Sequence, residues 1–160
     1  MESGIKNLVI SDPKELLENL NVYGVPDITK VVKDCGFNLY LSKIKPVNMR
    51  GFVSVDDYSD KEKLIVLRNS LTFTTQRFLI AYLFSSYQLN SESNGKYISI
   101  LYDETIYDKK VYNYALDLLM PDFIFDDDYK KYDLSFLAQK YNVSEFLIDE
   151  KVKRKEKKII

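Results

Sequence analysis

Apolar residues recur along this chain with two different periods, and the change of period divides the chain into predicted elements. Helical spacing comes first, in two short segments that begin near Pro13 and Asp27, where proline and capping side chains are typical start signals. Alternation then predicts strands at residues 37–41 and 51–55, and a short apolar run predicts a third at residues 64–67. The short turns between these strands favour an antiparallel meander.

The pattern becomes predominantly helical after these strands. Residues 72–89 predict one long helix whose centre, residues 78–84, is apolar on every side, which is typical of a helix buried in the middle of a domain. Residues 97–101 predict a short edge strand. Residues 105–120 predict another helix, which Pro121 ends.

The C-terminal part of the chain predicts a pair of helices. We expect the acidic and aromatic segment 122–133 to form an irregular connection before them. Asp133 and Ser144 are expected to cap the two helices, with a turn at Asn142 between them. From Lys151 onward the chain is basic, and we expect it to fray.

These elements predict an α+β fold, in which a small, mostly antiparallel sheet of three to four strands is packed by helices and followed by the C-terminal helical pair. The length of 160 residues is typical of one domain, and we expect residues 1–160 to form a single domain that ends in a basic tail at residues 154–160. No internal repeat or long linker divides the sequence.

Composition narrows the chemistry that this domain can perform. The chain has no histidine, one cysteine and a net charge of −1. The lack of histidine excludes Ser-His-Asp triads, Cys-His dyads and histidine-ligated metal sites. Cys35 cannot form a disulfide within the chain, and the N-terminal residues do not have the pattern of a secretory signal. With no apolar run near the ~18 residues of a membrane span, we expect a cytoplasmic protein without a membrane partner.

Three motifs stand in order along the chain. They are Arg-Phe-Leu-Ile-Ala at residues 77–81, Tyr-Ala-Leu-Asp-Leu-Leu-Met-Pro at residues 114–121 and Leu-Ala-Gln-Lys-Tyr-Asn-Val-Ser at residues 137–144. Together with the order of the elements, they resemble the ImmA/IrrE family of metallopeptidases over residues 28–153. The resemblance implies a zincin-like scaffold.

The sequence departs from that family at its metal site. Family members carry His-Glu-x-x-His directly after the first motif, where two histidines bind zinc and the glutamate activates water. By this resemblance, Tyr82 and Ser86 stand at the ligand positions, Leu83 at the base position and Asp108 at the third ligand. One carboxylate does not hold zinc, so the resemblance implies a catalytically inactive pseudoenzyme without a cofactor. We expect Tyr82, Leu83 and Phe84 to fill the cleft and so to close or narrow it. If the cleft persists instead, a hydroxyl of Tyr82 or Ser86 would meet Asp108.

The resemblance also implies a regulatory function through protein binding. Active members of the family cut or control helix-turn-helix repressors of phages and mobile elements, so we expect a partner of that kind or another phage-linked protein. Binding would act by occupancy or sequestration. Thirteen tyrosines are compatible with a protein interface, in which this residue is enriched. The sequence does not determine the oligomeric state.

One alternative is a DNA-binding regulator that uses residues 133–158, where two short helices precede a basic cluster. Lys151, Lys153, Arg154 and Lys155 would then contact phosphates. The turn lacks the usual glycine, and the basic residues stand at the end of the second helix, where they complement its dipole. We therefore favour a solvated tail and expect no nucleic-acid partner.

A further alternative is a hydrolase with unconventional ligands. Separately from that alternative, residues 126–128 offer three carboxylates to a hard cation, and Asp103, Glu104 and Asp108 offer a carboxylate pair for acid–base work. We expect the first group to be a solvated acidic loop and the second to be helix-start carboxylates. Cys35 stands on an apolar helical face, and we expect it to be buried and structural.

Overall fold

The computed structural model describes residues 9–44, 48–56, 62–91 and 96–159, with side chains up to residue 157 in the last range. Residues 1–8, which carry most of the expectation about a secretory signal, lie outside the described part. The described elements are α1 (Pro13–Asn19), α2 (Ile28–Asp34), β1 (Asn38–Ser42), β2 (Met49–Asp56), β3 (Glu62–Arg68), α3 (Phe73–Asn90), β4 (Lys96–Tyr102), α4 (Lys109–Leu119), α5 (Asp122–Asp128), α6 (Leu134–Tyr141) and α7 (Glu145–Ile159). The fold is α+β, as predicted.

The sheet is mostly antiparallel, but its strand order is not that of a meander. The order is β1-β3-β2-β4, with β2 antiparallel to both β3 and β4 and with β1 parallel to β3. β4 is an edge strand, which confirms that prediction. The predicted antiparallel meander is wrong, because β1 pairs with β3 rather than with β2, although β2 and β3 do pair antiparallel. Alternation defines which residues of a strand face the core, but it does not define the neighbouring strand.

The position of β1 has a physical reason. β3 buries Ile65 and Leu67 and is paired on both sides, whereas four of the five residues of β1 are exposed. A strand with little to bury is suited to a sheet edge, and here β1 occupies one.

The long helix α3 packs against β2, β3 and β4 on one side and contacts α2 and α4. Every residue from Arg77 to Gln88 is buried, which confirms the prediction of a central helix. Val53 and Val55 of β2 and Leu101 of β4 belong to the same core. The helix that carries the first family motif is therefore enclosed over most of its length.

Two helix boundaries differ from prediction. α4 begins at Lys109 rather than at residue 105, because the carboxylate of Asp108 caps it. The segment expected to be an irregular acidic connection contains α5. Phe125 of α5 is fully buried, and its ring packs against that of Tyr141 at a centroid distance of 5.6 Å. This packing stabilises α5, although the aspartates of the helix have low helix propensity.

The C-terminal pair is confirmed, but its predicted fraying is wrong. Asp133 and Ser144 accept hydrogen bonds from the first turns of α6 and α7, and Asn142 is left-handed, with φ of 57°. α7 then continues to Ile159. It remains helical because Lys151 is fully buried and paired with carboxylates.

Within the ranges given above, no helix has both the length and the apolar character that crossing a bilayer requires.

Candidate functional site

Three of the four positions that the resemblance assigns to a metal site lie on α3, and the fourth lies just before α4. Tyr82 is 5% exposed, Leu83 is 0% exposed and Ser86 is 5% exposed. Asp108 is exposed and is the N-cap residue of α4. The fold brings Tyr82 and Asp108 together, while Leu83 is part of the core.

The contact between Tyr82 and Asp108 runs through the backbone of Asp108. Its N–H donates a hydrogen bond to the Tyr82 hydroxyl oxygen at 2.8 Å. Burial raises the pKa of Tyr82, the hydrogen bond from Asp108 lowers it by less, and the nearby Asp108 charge raises it again. Tyr82 is therefore a neutral phenol that links α3 to the start of α4.

The carboxylate of Asp108 has a separate task. Its Oδ1 accepts hydrogen bonds from the backbone N–H groups of Lys110 at 2.9 Å and Val111 at 3.1 Å. These bonds satisfy two N–H groups that have no partner inside α4, which is the usual function of an aspartate cap. The expectation of a helix-start carboxylate is thus confirmed for Asp108.

Ser86 lies one turn after Tyr82 and does not meet Asp108. Its hydroxyl forms a short hydrogen bond with the Tyr97 hydroxyl on β4. Both hydroxyl groups at the two ligand positions are therefore engaged with other parts of the fold.

Aromatic rings occupy the space around Tyr82. Its ring centroid lies 4.8 Å from that of Tyr107 and 6.0 Å from that of Phe78. Phe84 does not contribute, contrary to expectation, because residues two apart on a helix point to opposite sides. Phe84 instead packs edge to face against Phe37 at 5.6 Å. The ring that covers Tyr82 is instead that of Tyr107, from the segment before α4.

An open groove of about 560 Å³ adjoins this cluster on the side of Tyr107. We call it the aromatic groove, after the four rings that line it: Phe78, Tyr107, Tyr112 and Phe146. Arg50 donates a hydrogen bond to the Tyr107 hydroxyl at 2.6 Å and forms part of the wall. No sequence pattern predicts this groove, because its residues come from β2, α3, α4, α7 and the segment before α4. Enrichment in tyrosine was the only signal.

The basic residues of α7 divide into paired and exposed ones. Lys151 is fully buried, with its Nζ 2.7 Å from Asp117 and 2.9 Å from Asp122. Arg154 also pairs with Asp117, and Lys155 pairs with Asp122 at 2.8 Å. These three residues fix α7 to α4 and α5, so the expectation of a solvated tail is wrong for them.

Lys153 is the exposed member of the four residues proposed to contact phosphates. Its side chain is 69% exposed and pairs with Asp149, one turn earlier, at 3.0 Å. The DNA-binding alternative therefore retains one of its four contacts in an accessible position.

The acidic clusters are engaged with other parts of the fold. Asp128 is 7% exposed, accepts a hydrogen bond from the Tyr141 hydroxyl at 2.7 Å and pairs with Lys140 at 2.6 Å. Asp103 pairs with Arg68 at 3.4 Å, and Glu104 accepts a hydrogen bond from Asn48. The group at residues 126–128 is thus helical and partly buried rather than a solvated loop.

Cys35 is fully buried, as expected. Burial raises the pKa of its thiol to about 12, and the charge of Lys63 opposes this only in part. A thiol in this state is a structural side chain rather than a nucleophile.

Comparison with known protein families identifies this architecture. The family model of the IrrE N-terminal-like domain, a peptidase family, matches residues 41–153, which is more than two thirds of the chain. The chain therefore belongs to this family. The predicted extent, residues 28–153, ends at the same residue and begins earlier. No curated protein matches the chain in sequence.

The residues at the corresponding positions do not fit a zinc ion. Zinc sites in proteins use cysteine, histidine and carboxylate ligands, of which a catalytic site has three. Tyr82 and Ser86 offer neutral hydroxyls that already have partners, and Leu83 offers no donor atom. The described residues also contain no group of three or more His, Cys, Asp or Glu side chains arranged for a metal.

Proposed function

We propose that this chain is a catalytically inactive member of its family, a pseudoenzyme that regulates by binding a protein partner. The observation that carries the proposal is the hydrogen bond between Tyr82 and the backbone of Asp108. By the resemblance, a metal-binding side chain would face a ligand carboxylate here, whereas Tyr82 accepts a hydrogen bond from the backbone of Asp108. Chemistry of the family type needs a base at the position of Leu83, which has no proton-accepting group.

The resemblance to repressor-controlling peptidases supports a particular class of partner. We propose a helix-turn-helix repressor or another regulator of a phage or mobile element, held without being cleaved. The aromatic groove supports protein binding, since exposed aromatic side chains are enriched at interfaces. Phe146 at its mouth is 65% exposed.

Metal analysis and a cleavage assay test the inactive state. The purified chain is expected to carry far less than one equivalent of zinc, and a repressor encoded beside its gene is expected to stay intact with zinc added. Stoichiometric zinc together with chelator-sensitive cleavage would contradict the proposal and favour a hydrolase with unconventional ligands.

A variant with Tyr82→His, Leu83→Glu and Ser86→His provides the matched control. If these positions correspond to the family's metal site, the variant gains zinc binding that the native chain lacks, with Asp108 as third ligand. Circular dichroism establishes that the variant is folded. A folded variant without zinc affinity would overturn the assignment of these positions.

Direct binding tests the regulatory part of the proposal. Isothermal titration of the same repressor into the chain is expected to give a stoichiometric complex, and mass spectrometry is expected to recover both proteins at full length. Absence of a complex with any regulator encoded in the same element would contradict this part.

A further inference from the structure

A second groove, of about 600 Å³, continues the aromatic groove along α4 and α7. The two grooves share Lys109, Tyr112 and Glu150, so they adjoin one another, and we call the pair the channel. We call the second part the basic groove, after the cations that line it: Lys109, Lys153, Arg154 and Lys157.

Long side chains connect the two helices across this channel. Tyr112 on α4 donates a hydrogen bond from its hydroxyl to Glu150 on α7 at 3.4 Å. Arg154 on α7 reaches the backbone carbonyl of Asn113 on α4 at 3.3 Å. These contacts hold α4 and α7 together beside the two grooves.

The wall that α7 contributes follows helical spacing. On α7, Phe146, Glu150, Lys153 and Lys157 recur at intervals of three or four residues, which places them along one face. At 1.5 Å per residue, this face extends over about 16 Å, or about three helical turns. The channel therefore has the length of a short peptide segment.

Its two ends differ in chemistry. The aromatic end presents Phe146, whose side chain is 65% exposed, beside Tyr107 and Phe78. The basic end presents Lys109, Lys153 and Lys157, which are all exposed. The ion pair of Lys153 with Asp149 is exposed and screened by solvent, so it costs little to exchange for another carboxylate.

The charge of the channel is opposite to that of the whole chain. Five cations line the two grooves against the two carboxylates of Glu150 and Glu156, so the lining has an excess of positive charge in a chain of net charge −1. Lys109, Lys153 and Lys157 are exposed, while Arg154 is already paired with Asp117. Positive charge beside an apolar cleft favours a ligand that combines carboxylates with an apolar anchor.

We propose that the channel binds an acidic, amphipathic segment of the protein partner, with an apolar side chain in the aromatic end and carboxylates against Lys109, Lys153 and Lys157. The inference rests on the proposed function, because it names the segment by which that partner is held.

Fluorescence anisotropy with the full chain tests the proposal. The probe is a labelled peptide of about 12 residues, or about three helical turns, with leucine and phenylalanine on one face and glutamate on the other. The expected result is saturable binding that weakens as salt is added. A peptide with lysine in place of glutamate, and one with alanine in place of the apolar residues, are expected to bind at least about tenfold more weakly.

Variants of the chain place the binding in the channel. The double variant Lys153→Glu and Lys157→Glu is expected to raise the Kd at least about tenfold, and Phe146→Ala is expected to raise it several-fold. Lys30→Glu is the matched charge control. Lys30 lies on α2, is 72% exposed and, like Lys153, pairs with an aspartate one turn away on its own helix. Phe136→Ala, whose ring is 47% exposed on α6, is the matched aromatic control.

The outcomes separate this inference from the proposed function. No binding of the acidic peptide, or equal binding by the channel variants and the controls, would overturn the channel. Preferential binding of a labelled DNA duplex that is lost in Lys153→Glu and Lys157→Glu would overturn it in favour of nucleic acid. If a repressor forms a stable complex with the chain and these variants do not weaken that complex, the channel alone is overturned. Zinc-dependent cleavage of the repressor would overturn the proposed function.

Discussion

Tyr82 on α3 and Asp108 at the start of α4 are joined through the backbone of Asp108, because its N–H donates to the Tyr82 hydroxyl at 2.8 Å while its carboxylate caps α4. Each group has a structural partner, so the pair connects two helices of the core. The region that the resemblance assigns to the metal site thus connects α3 to α4 through structural hydrogen bonds.

Tyr82→Phe removes the acceptor for the Asp108 N–H and leaves the ring packing in place. We expect a loss of about 1 kcal/mol in the free energy of unfolding, measured by urea denaturation, since one part-buried hydrogen bond disappears. Tyr40→Phe is the matched control, because the Tyr40 side chain is 53% exposed and should lose little. Equal losses in the two variants would show that the hydrogen bond to Asp108 contributes nothing.

Lys151→Met tests the ion pairs that fix α7. The Lys151 amine is fully buried between Asp117 and Asp122, so its removal leaves carboxylates with fewer partners. We expect the free energy of unfolding to fall by about 2 kcal/mol. This loss is smaller than that for breaking a fully buried pair, because Arg154 still pairs with Asp117 and Lys155 with Asp122. Thermal unfolding followed by circular dichroism measures it.

The exposed Lys153 provides the control for this experiment. Lys153→Met removes a lysine from the same helix whose side chain is 69% exposed. Its midpoint of unfolding is expected to match that of the native chain. A shift as large as that of Lys151→Met would mean that the helix needs positive charge in general rather than the buried pair.

Acid is expected to destabilise the chain through Asp122. Burial alone would raise the pKa of Asp122, but hydrogen bonds and ion pairs with Lys155 and Lys151 outweigh it and lower the pKa to about 2, from a usual value of 3.8. The unfolded chain then binds more protons between these values, so the contribution of Asp122 is present above about pH 4 and is lost as the pH falls toward 2.

Urea unfolding between pH 5 and pH 2 measures this dependence. Asp122→Asn is expected to be less stable near neutral pH and to lose less stability on acidification. The neighbouring exposed Asp127→Asn should keep the native slope. Identical slopes for the native chain and Asp122→Asn would contradict the assignment.

Cys35 is expected to resist modification in the folded state. Its side chain is fully buried, and burial raises its pKa to about 12, so almost no reactive thiolate exists at pH 8. Ellman's reagent should label it only after the chain is denatured. A thiol placed on the surface by Ser135→Cys should react at once, and equally fast labelling of native Cys35 would contradict the prediction.

Gly51 is expected to be intolerant of a side chain. A Cβ at this position would lie 2.6 Å from the Val66 carbonyl oxygen and 2.7 Å from Leu67 Cδ2. Gly51→Ala should therefore cost about 1–3 kcal/mol in unfolding free energy, because β2 and β3 must separate. Gly24→Ala is the control, since nothing lies within 4 Å of its added Cβ, and it should be neutral or slightly stabilising.

Local signals in the sequence predicted much of this fold. The caps Asp27, Asp133 and Ser144 and the left-handed Asn142 act within one turn of their own positions, so the sequence suffices to place them. Burial of α3 was also predictable, because a helix that is apolar on every side cannot face water. The family followed from three short motifs in order, and the match over residues 41–153 confirms it.

Long-range pairing could not be predicted in the same way. The parallel pairing of β1 with β3 joins residues whose alternation is equally compatible with a meander. Helix α5 forms because Phe125 packs against Tyr141. Lys151 is buried because it forms ion pairs with Asp117 and Asp122, which lie on other helices. Each of these depends on groups far apart in sequence.

The sequence by itself determined that this chain carries a peptidase-family scaffold and no histidine to ligate a metal, because residue identity decides which ligands are possible. The resemblance to the family assigns Tyr82, Leu83 and Ser86 to the zinc motif. Only the tertiary structure decided what those residues do. It joined Tyr82 to the backbone of Asp108 and opened a channel between α4 and α7, because hydrogen bonds and grooves depend on distances between separate elements, which a linear sequence does not contain.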